Sequence, residues 1–232
     1  MTAAPSISII IPVMNEKLLI NDLIAHIRSL DGSEHTQIII VDGERDKRTV
    51  KAVKDPKVTK IVSSRGRARQ MNEGARIAVG RTLLFLHADT RLPHNALLCI
   101  EEALANGRYT AGAFDLGIQS KKFVFRLIEY SASIRSRITR IPFGDQALFI
   151  KKEYFDAIGG FHDIPLMEDV EIMQRIKKRR DEICIVRQRV STSPRRWIRE
   201  GILHCTLRNW FLQFLYYSGI PPNRLARFYR HR

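Results

Sequence analysis

Four short apolar runs, each closed by a turn, constrain this chain more than any other feature. The first, ISIIIPV at 7–13, is almost continuously apolar and β-branched. A strand with one wet face alternates apolar and polar residues, whereas a strand covered on both faces, as in a parallel sheet, does not. The stretch 14–30 that follows sets Leu19, Leu23, Ile27 and Leu30 on one helical stripe. QIIIV at 37–41 repeats the strand signal and stops at Asp42-Gly43, residues 58–62 read as a weaker strand, and LLFL at 83–86 ends in His87-Ala88-Asp89-Thr90. Ser63-Ser64-Arg65-Gly66 leads into a helix expected over about 67–79, with Met71, Ala75 and Ala78 at helical spacing. Pro93 is expected to open another helix, where its missing N–H costs nothing.

This β-α-β-α-β order is that of a doubly wound α/β half, whose ligands bind beyond the carboxyl ends of the strands. Asn15, Asp42 and Asp89 all fall there. After residue 110 the pattern is less regular. AGAFDLGI and QALFI read as strands, KKFVFRLIEYSASIRSRITR as a long amphipathic helix and EDVEIMQRIKKRR as a second. No internal repeat and no linker marks a boundary, so 1–232 reads as one domain.

Charge raises a different possibility. The chain carries 39 Lys+Arg against 24 Asp+Glu, a formal net charge of +15, which suggests nucleic acid. Split along the chain, residues 1–174 hold 24 basic and 21 acidic residues, net +3, and residues 175–232 hold 15 and 3, net +12. The basic residues follow no nucleic-acid-binding motif, and the strand-end acids would repel a phosphate backbone. Cys99, Cys184 and Cys205 lie far apart without metal-site spacing, which points to a reducing compartment. The apolar N-terminal run has no basic lead and is cut by Pro12, Asn15 and Glu16, so neither a signal peptide nor a membrane span is expected there, and the protein reads as cytoplasmic.

Several polar residues carry chemistry in this pattern. Asp42 is either a turn residue of Asp-Gly or a carboxylate for a ribose hydroxyl or a base N–H. Asp89 could hold Mg²⁺ or Mn²⁺ on a substrate diphosphate, since such ions prefer hard oxygen ligands. His87, two residues earlier, would point the same way in an extended segment and could share that ion, or could be an ordinary hydrogen-bonding residue. Arg65, Arg67 and Arg69 at a helix N-terminus make a candidate phosphate corner. Glu168-Asp169 either compensate a helix dipole or supply a general base from the Gly159-Gly160 loop, and Asp145 is a further candidate for a polar substrate.

SIIIPVMNE, VDG, GRARQMNEGARIAVG, LLFLHADT, FGDQALFI and GGFHDIPLMEDVE come in the order and spacing of family 2 glycosyltransferases of the GT-A fold, which the chain resembles over nearly its whole length. HADT in place of D-x-D, with the Gly-Arg-Ala helix and the Arg-Arg-Trp tail, resembles the radical-SAM/selenodomain-associated transferase 2 subgroup. The resemblance implies a mostly parallel, Rossmann-like central sheet with helices on both faces plus C-terminal amphipathic helices. It divides the domain into a nucleotide-sugar-binding half (1–110), an acceptor half (111–190) and a basic extension (191–232). A nucleotide-sugar donor, a UDP-sugar, would meet Pro12, Asn15, Glu16, Asp42 and Arg67, with Asp89 as the D-x-D metal ligand and His87 at the place of its first Asp. Asp169 would be the base of an inverting, metal-dependent transfer to a hydroxyl acceptor, with Glu168 shaping the acceptor side and Asp145, Gln146, Arg196 and Trp197 beside it. Ser193 stands where processive members carry the Gln of Q-x-x-R-W, which argues for a single transfer.

The C-terminal stripe Leu203, Leu207, Trp210, Phe211, Phe214 and Leu215 either packs on the domain or lies in a membrane interface. In the second case Arg195, Arg196, Arg199, Arg208, Arg224, Arg227 and Arg230 would meet anionic lipid, on the inner face of the cell membrane and near a lipid-linked acceptor. Three rivals accompany the transferase reading: an inactive nucleotide-sugar-binding module, since HADT lacks the first Asp; a sugar nucleotidyltransferase, which would want a Gly-rich loop where PVMNEK stands; and a nucleic-acid-binding protein.

Overall fold

A computed structural model describes residues 5–228. Arg230, counted above with the basic tail, and the first four residues lie outside them. The chain runs β1 (Ile7–Val13), α1 (Ile20–Arg28), β2 (Thr36–Asp42), α2 (Arg48–Ala52), β3 (Thr59–Val62), α3 (Arg67–Ile77), β4 (Thr82–Phe85), β5 (Thr90–Arg91) and α4 (Ala96–Ala105). It continues through β6 (Ala111–Asp115), α5 (Phe123–Thr139), β7 (Phe149–Lys151), α6 (Lys152–Ala157), α7 (Glu168–Lys178), β8 (Ile183–Arg189), β9 (Ser191–Thr192), α8 (Arg195–Glu200), α9 (Ile202–Tyr217) and α10 (Pro222–Phe228).

Seven strands form one sheet in the order β3-β2-β1-β4-β7-β6-β8, all parallel except β7, and β5 pairs with β9 in a separate ribbon. The continuous apolar runs have the cause expected of them. Successive side chains of a strand point to opposite faces. Ile9 and Ile11 enter a core closed by α1 and α4, while Ile10 between them enters a second core closed by α3 and α7. All three isoleucines are fully buried, each contributing roughly 1.5–3 kcal/mol of apolar burial.

Strand β1 lies at the switch point, since β2 flanks it on one side and β4, reached only after β3, on the other. The Ile10 carbonyl accepts the Leu86 N–H at 3.0 Å, so the alternate residue Pro12 faces the same neighbour. Having no N–H, Pro12 ends that ladder at the edge where a switch point is expected to leave a crevice. Helix α3 approaches this edge closely because Gly74 has no side chain: a Cβ there would lie 2.5 Å from Ile10 Cγ2.

Two expectations are corrected, and the C-terminal helices gain a boundary. Helix α4 begins at Ala96, three residues after Pro93, which instead caps a turn by accepting the Ala96 N–H at 3.0 Å. Only the end of QALFI is strand, because Gly144–Gln146 form a 3-10 turn and Ala147 is left-handed at φ 52°. The C-terminal stretch is broken into α8 and α9 at Gly201, whose φ of 88° only glycine adopts readily.

Candidate active site

Because β7 runs against its neighbours, the loop that precedes it arrives at the same edge as the loops that follow β1, β2 and β4. Four segments therefore converge there: Asn15-Glu16, the His87–Thr90 turn, the Gly144–Gln146 turn and the start of α7.

Asp169 sits in the first turn of α7, after Met167 in a left-handed conformation at φ 67°. Its Oδ2 accepts the Gly144 N–H at 2.6 Å and its Oδ1 accepts the Val170 N–H at 2.8 Å, so two backbone donors hold the carboxylate in place. Gly144 is tight on both sides: a Cβ there would lie 3.1 Å from His87 Nε2 and 3.3 Å from Asp169 Oδ2. Burial holds the His87 imidazole down to about 3, with Arg67 and Arg196 adding to the effect, so the ring is neutral at physiological pH.

Asp145 lies within electrostatic reach of both Asp169 and Asp89. Burial raises its carboxyl to about 6, Arg135 opposes the rise, and the two neighbouring carboxylates add to it. A carboxyl raised from 3.8 binds more protons folded than unfolded, so its ionisation costs stability as pH climbs from about 4 to about 6, and the cost persists above. Asp145→Asn is accordingly expected to leave stability unchanged below about pH 4 and to raise it by roughly 1–2 kcal/mol above about pH 6. Urea denaturation at both ends of that range measures this, and a variant no more stable than wild type at neutral pH overturns it.

Glu168 points inward and is almost fully buried beside Arg67, whose Nη1 lies 3.3 Å from its Oε1. Burial raises its carboxyl, the Arg67 charge opposes that, and Asp169 adds to it. Arg69 is committed elsewhere, to Asp163 through contacts of 2.7–2.8 Å, and Asn72 exchanges two hydrogen bonds with the Phe161 backbone. Helix α3 thus carries the Gly159-Gly160 loop toward the site. A groove of about 410 Å³ lined by Ser63, Ser64, Arg69 and Asn72 runs along α3 but includes none of the clustered carboxylates.

Asp89 is half-buried, and its Oδ2 lies 3.3 Å from Arg195 Nε. The same guanidinium donates to both oxygens of Glu16 at 3.1 and 2.6 Å. Arg195 therefore spans the crevice between the loops after β1 and β4. The β5–β9 ribbon and the Ser193 N–H bond to the Asp89 carbonyl at 3.0 Å fix the residues that deliver it. Among the described residues no three His, Cys, Asp or Glu side chains gather to hold a metal by themselves.

Several residues singled out in the sequence are placed otherwise. Asp42 is fully buried, and its oxygens accept the N–H groups of Glu44, Thr49 and Val50 at 3.0–3.2 Å, so it organises its own loop instead of reaching a ligand. Gln146 is also fully buried, accepting from Ser136 Oγ and the Phe143 N–H and donating to the Phe114 carbonyl, a core staple with no acceptor-facing atom. His87 and Asp89 do not lie on an extended segment, because the Thr90 N–H bonds the His87 carbonyl at 3.1 Å and makes a turn of HADT. The His87 ring meets Gly144, so it belongs with Asp169 more than with a metal at Asp89. Trp197 packs edge-on to Phe125 with centroids 5.9 Å apart, while Asn15 is exposed and left-handed at φ 59°.

Three residues at this edge escape sequence reasoning. Gln70 donates to the carbonyls of Val13 and Val41 at 2.8 and 2.7 Å, tying together the ends of β1 and β2. Arg135 lies over the Phe143 ring and donates to the Ile141 carbonyl at 3.2 Å, bracing the turn that carries Asp145. Arg195 is the third: the sequence set it with the lipid-facing arginines, whereas the fold pairs it with Glu16 and Asp89. The first two sit inside helices, where nothing local marks them off from their polar neighbours.

A family model described as glycosyl transferase family 2 matches residues 8–162. Among solved structures, the mannosyltransferase PcManGT from Pyrobaculum calidifontis, in complex with GDP-Man and Mn²⁺, is similar with a TM-score of 0.63 at 20% identity, covering 82% of this chain and 57% of its own. S. aureus TarS 1-349 is similar with a TM-score of 0.61 at 15% identity, covering 82% of this chain and 61% of its own. The chain thus spans about three fifths of the length of these two proteins, and at such identities the likeness is one of fold. No curated protein matches the chain.

Proposed function

This chain belongs to glycosyl transferase family 2, and from that membership we propose that it moves a sugar from a nucleotide-sugar donor to an acceptor hydroxyl, in single transfers with inversion. Its mostly parallel sheet with helices on both faces is the GT-A arrangement. The observation that carries the proposal is the gathering of Asp89, Asp145 and Asp169 with Arg67 and Arg135 at one sheet edge. The donor's nucleoside enters the crevice past Pro12 and Asn15, and UDP is the nucleotide first expected. The GDP-Man and Mn²⁺ of PcManGT support a nucleotide sugar and a divalent cation as donor and cofactor in general terms.

The residues fit such a cation in a particular way. An ion of the Mg²⁺ type is commonly held by one or two carboxylates plus substrate phosphates and water, with no all-protein cage. Asp89 would be its protein ligand, with the Arg195 guanidinium 3.3 Å from one of its oxygens as a competing cation. When bound, the ion would neutralise charge on the departing diphosphate.

The remaining chemistry belongs to the chain. An acceptor hydroxyl has a pKa far above 7, so its proton must pass to a base as its oxygen attacks the anomeric carbon. Asp169 takes that proton, the new C–O bond forms, and the bond to the diphosphate oxygen breaks with its electron pair leaving on the nucleotide. The Gly144 and Val170 N–H groups keep the base from rotating away, and the neutral His87 ring lies against Gly144. Arg67 stands at the N-terminus of α3, where it can approach the diphosphate.

A panel of UDP- and GDP-sugars tests this. One nucleotide class should be hydrolysed slowly with Mn²⁺ or Mg²⁺ and should raise the melting temperature, both effects vanishing with a chelator. If no donor on the panel is turned over but one stabilises the protein, the inactive binding module replaces the transferase reading; if none does either, the donor site itself is wrong.

A further inference from the structure

The stripe of α9 faces water. That helix is anchored through Cys205 and Leu212, which are buried, while Leu203, Leu207, Trp210, Phe211 and Phe214 at i, i+4, i+7, i+8 and i+11 stand exposed, Leu203 by 72% and Phe214 by 66%. Packing on the domain, one of the two fates read in the sequence for these five side chains, is therefore not what the fold does with them. Helix α5 repeats the pattern: Phe125, Glu129, Ser133 and Ser136 are buried, while Phe123, Leu127, Tyr130, Ile134 and Ile138 at i, i+4, i+7, i+11 and i+15 are exposed. Trp197 of α8, the short helix that leads into α9, packs edge-on against Phe125 of α5, and at the far end of α9 Tyr217 lies within electrostatic reach of Arg135 of α5. Single exposed apolar residues are ordinary; two neighbouring helices with continuous apolar stripes are not.

We propose that α5 and α9 together form a docking face for an anionic membrane surface, lying in the interface without crossing it. Charge chooses this occupant. Residues 202–228 contain no carboxylate, and 119–141 contain only Glu129, which is buried. Lys121, Lys122, Arg140, Arg224 and Arg227 are exposed, with no carboxylate in ion-pair contact among the described residues. A second copy docked by the same face would set these cations against their own kind, whereas acidic headgroups complement them, at about 1 kcal/mol for each basic side chain near the surface. Trp210, Phe211, Phe214, Tyr130 and Tyr217 are the residue types that settle at the headgroup boundary. No helix among the described residues is long and apolar enough to cross a bilayer, so the attachment is superficial and salt-sensitive. This proposal stands on surface chemistry and holds whether or not the site transfers sugar.

Sedimentation with vesicles of phosphatidylcholine, with and without about one third phosphatidylglycerol, tests it. The full chain should pellet only with the anionic vesicles, and raising salt to roughly 0.5 M should release most of it. F211E/F214E and L127E/Y130E, all at solvent-facing positions, should each lower the bound fraction at least about tenfold with an unchanged circular dichroism spectrum. R224A/R227A, which leaves the apolar faces intact, should lower it several-fold. The proposal is overturned if the wild-type chain stays in the supernatant, or if either charged double variant sediments like wild type. It also fails if the lipid-free chain is a dimer that these same substitutions dissolve.

Discussion

Asp169→Asn should lower kcat by roughly 10²- to 10⁴-fold, the range that loss of a general base produces, with donor affinity changed by less than about threefold. An amide cannot take the acceptor proton, and here it has a second handicap. Both oxygens of Asp169 accept backbone N–H groups, from Gly144 and Val170. Asn offers one oxygen and one NH₂, so one of those N–H groups must face another donor, at a cost of about 1–3 kcal/mol. Steady-state kinetics, together with calorimetric titration of the nucleoside diphosphate, separates the two effects: lost chemistry with intact binding supports the base, and a distorted site loses both. Turnover at the wild-type rate would remove Asp169 from the mechanism.

The second large effect concerns the crevice. Asp89→Ala is expected to weaken cation-dependent binding of the nucleoside diphosphate by about a hundredfold, since it removes the carboxylate proposed to hold the ion. Arg195→Ala should act in the opposite direction. Its guanidinium, half-exposed and shared between Glu16 and Asp89, competes with the cation by an amount in the usual range for such pairs, up to about 1 kcal/mol, or roughly a fivefold gain in cation affinity on removal. Titrations with Mn²⁺ and UDP or GDP measure both. Equal affinity in Asp89→Ala and wild type would end the assignment of Asp89, and weaker binding in Arg195→Ala would make Arg195 a partner of the diphosphate instead of a competitor of the ion.

The sheet was legible because burial on both faces writes itself into a run such as ISIIIPV without need of long-range information. Asp89 was legible at a strand end from chain order, whereas Asp145 and Asp169, in a 3-10 turn and at a helix start, joined it only through the resemblance. What a polar side chain does at a strand end was not legible. Asp42 and Gln146 looked free for ligands, yet each pairs with backbone groups that a buried loop must satisfy, while Gln70, a helix residue with no local mark of a role, ties two strand ends together. Those partners become known only once the loops are folded. Arg195 contacts Glu16 across 179 positions of sequence, a pairing that local pattern cannot reveal. The stripe of α9 was read correctly as a stripe, but periodicity says only that a helix has two faces, and it was left to the fold to decide which one is covered.

The single reversed strand, β7, also sorts the molecule's connections into two populations. Loops that leave the forward strands, together with the one that enters β7, share the chemical edge. Those that enter the forward strands lie at the far edge, among them the turn at Gly107 before β6, where an added Cβ would meet nothing within 4 Å. For protein engineering this amounts to a map of attachment points. Inserted domains or handles spliced into this turn sit at the edge opposite the carboxylates, provided Gly107 itself, left-handed at φ 73°, stays glycine, whereas the same cargo at Gly144 would press on His87 and Asp169 at once.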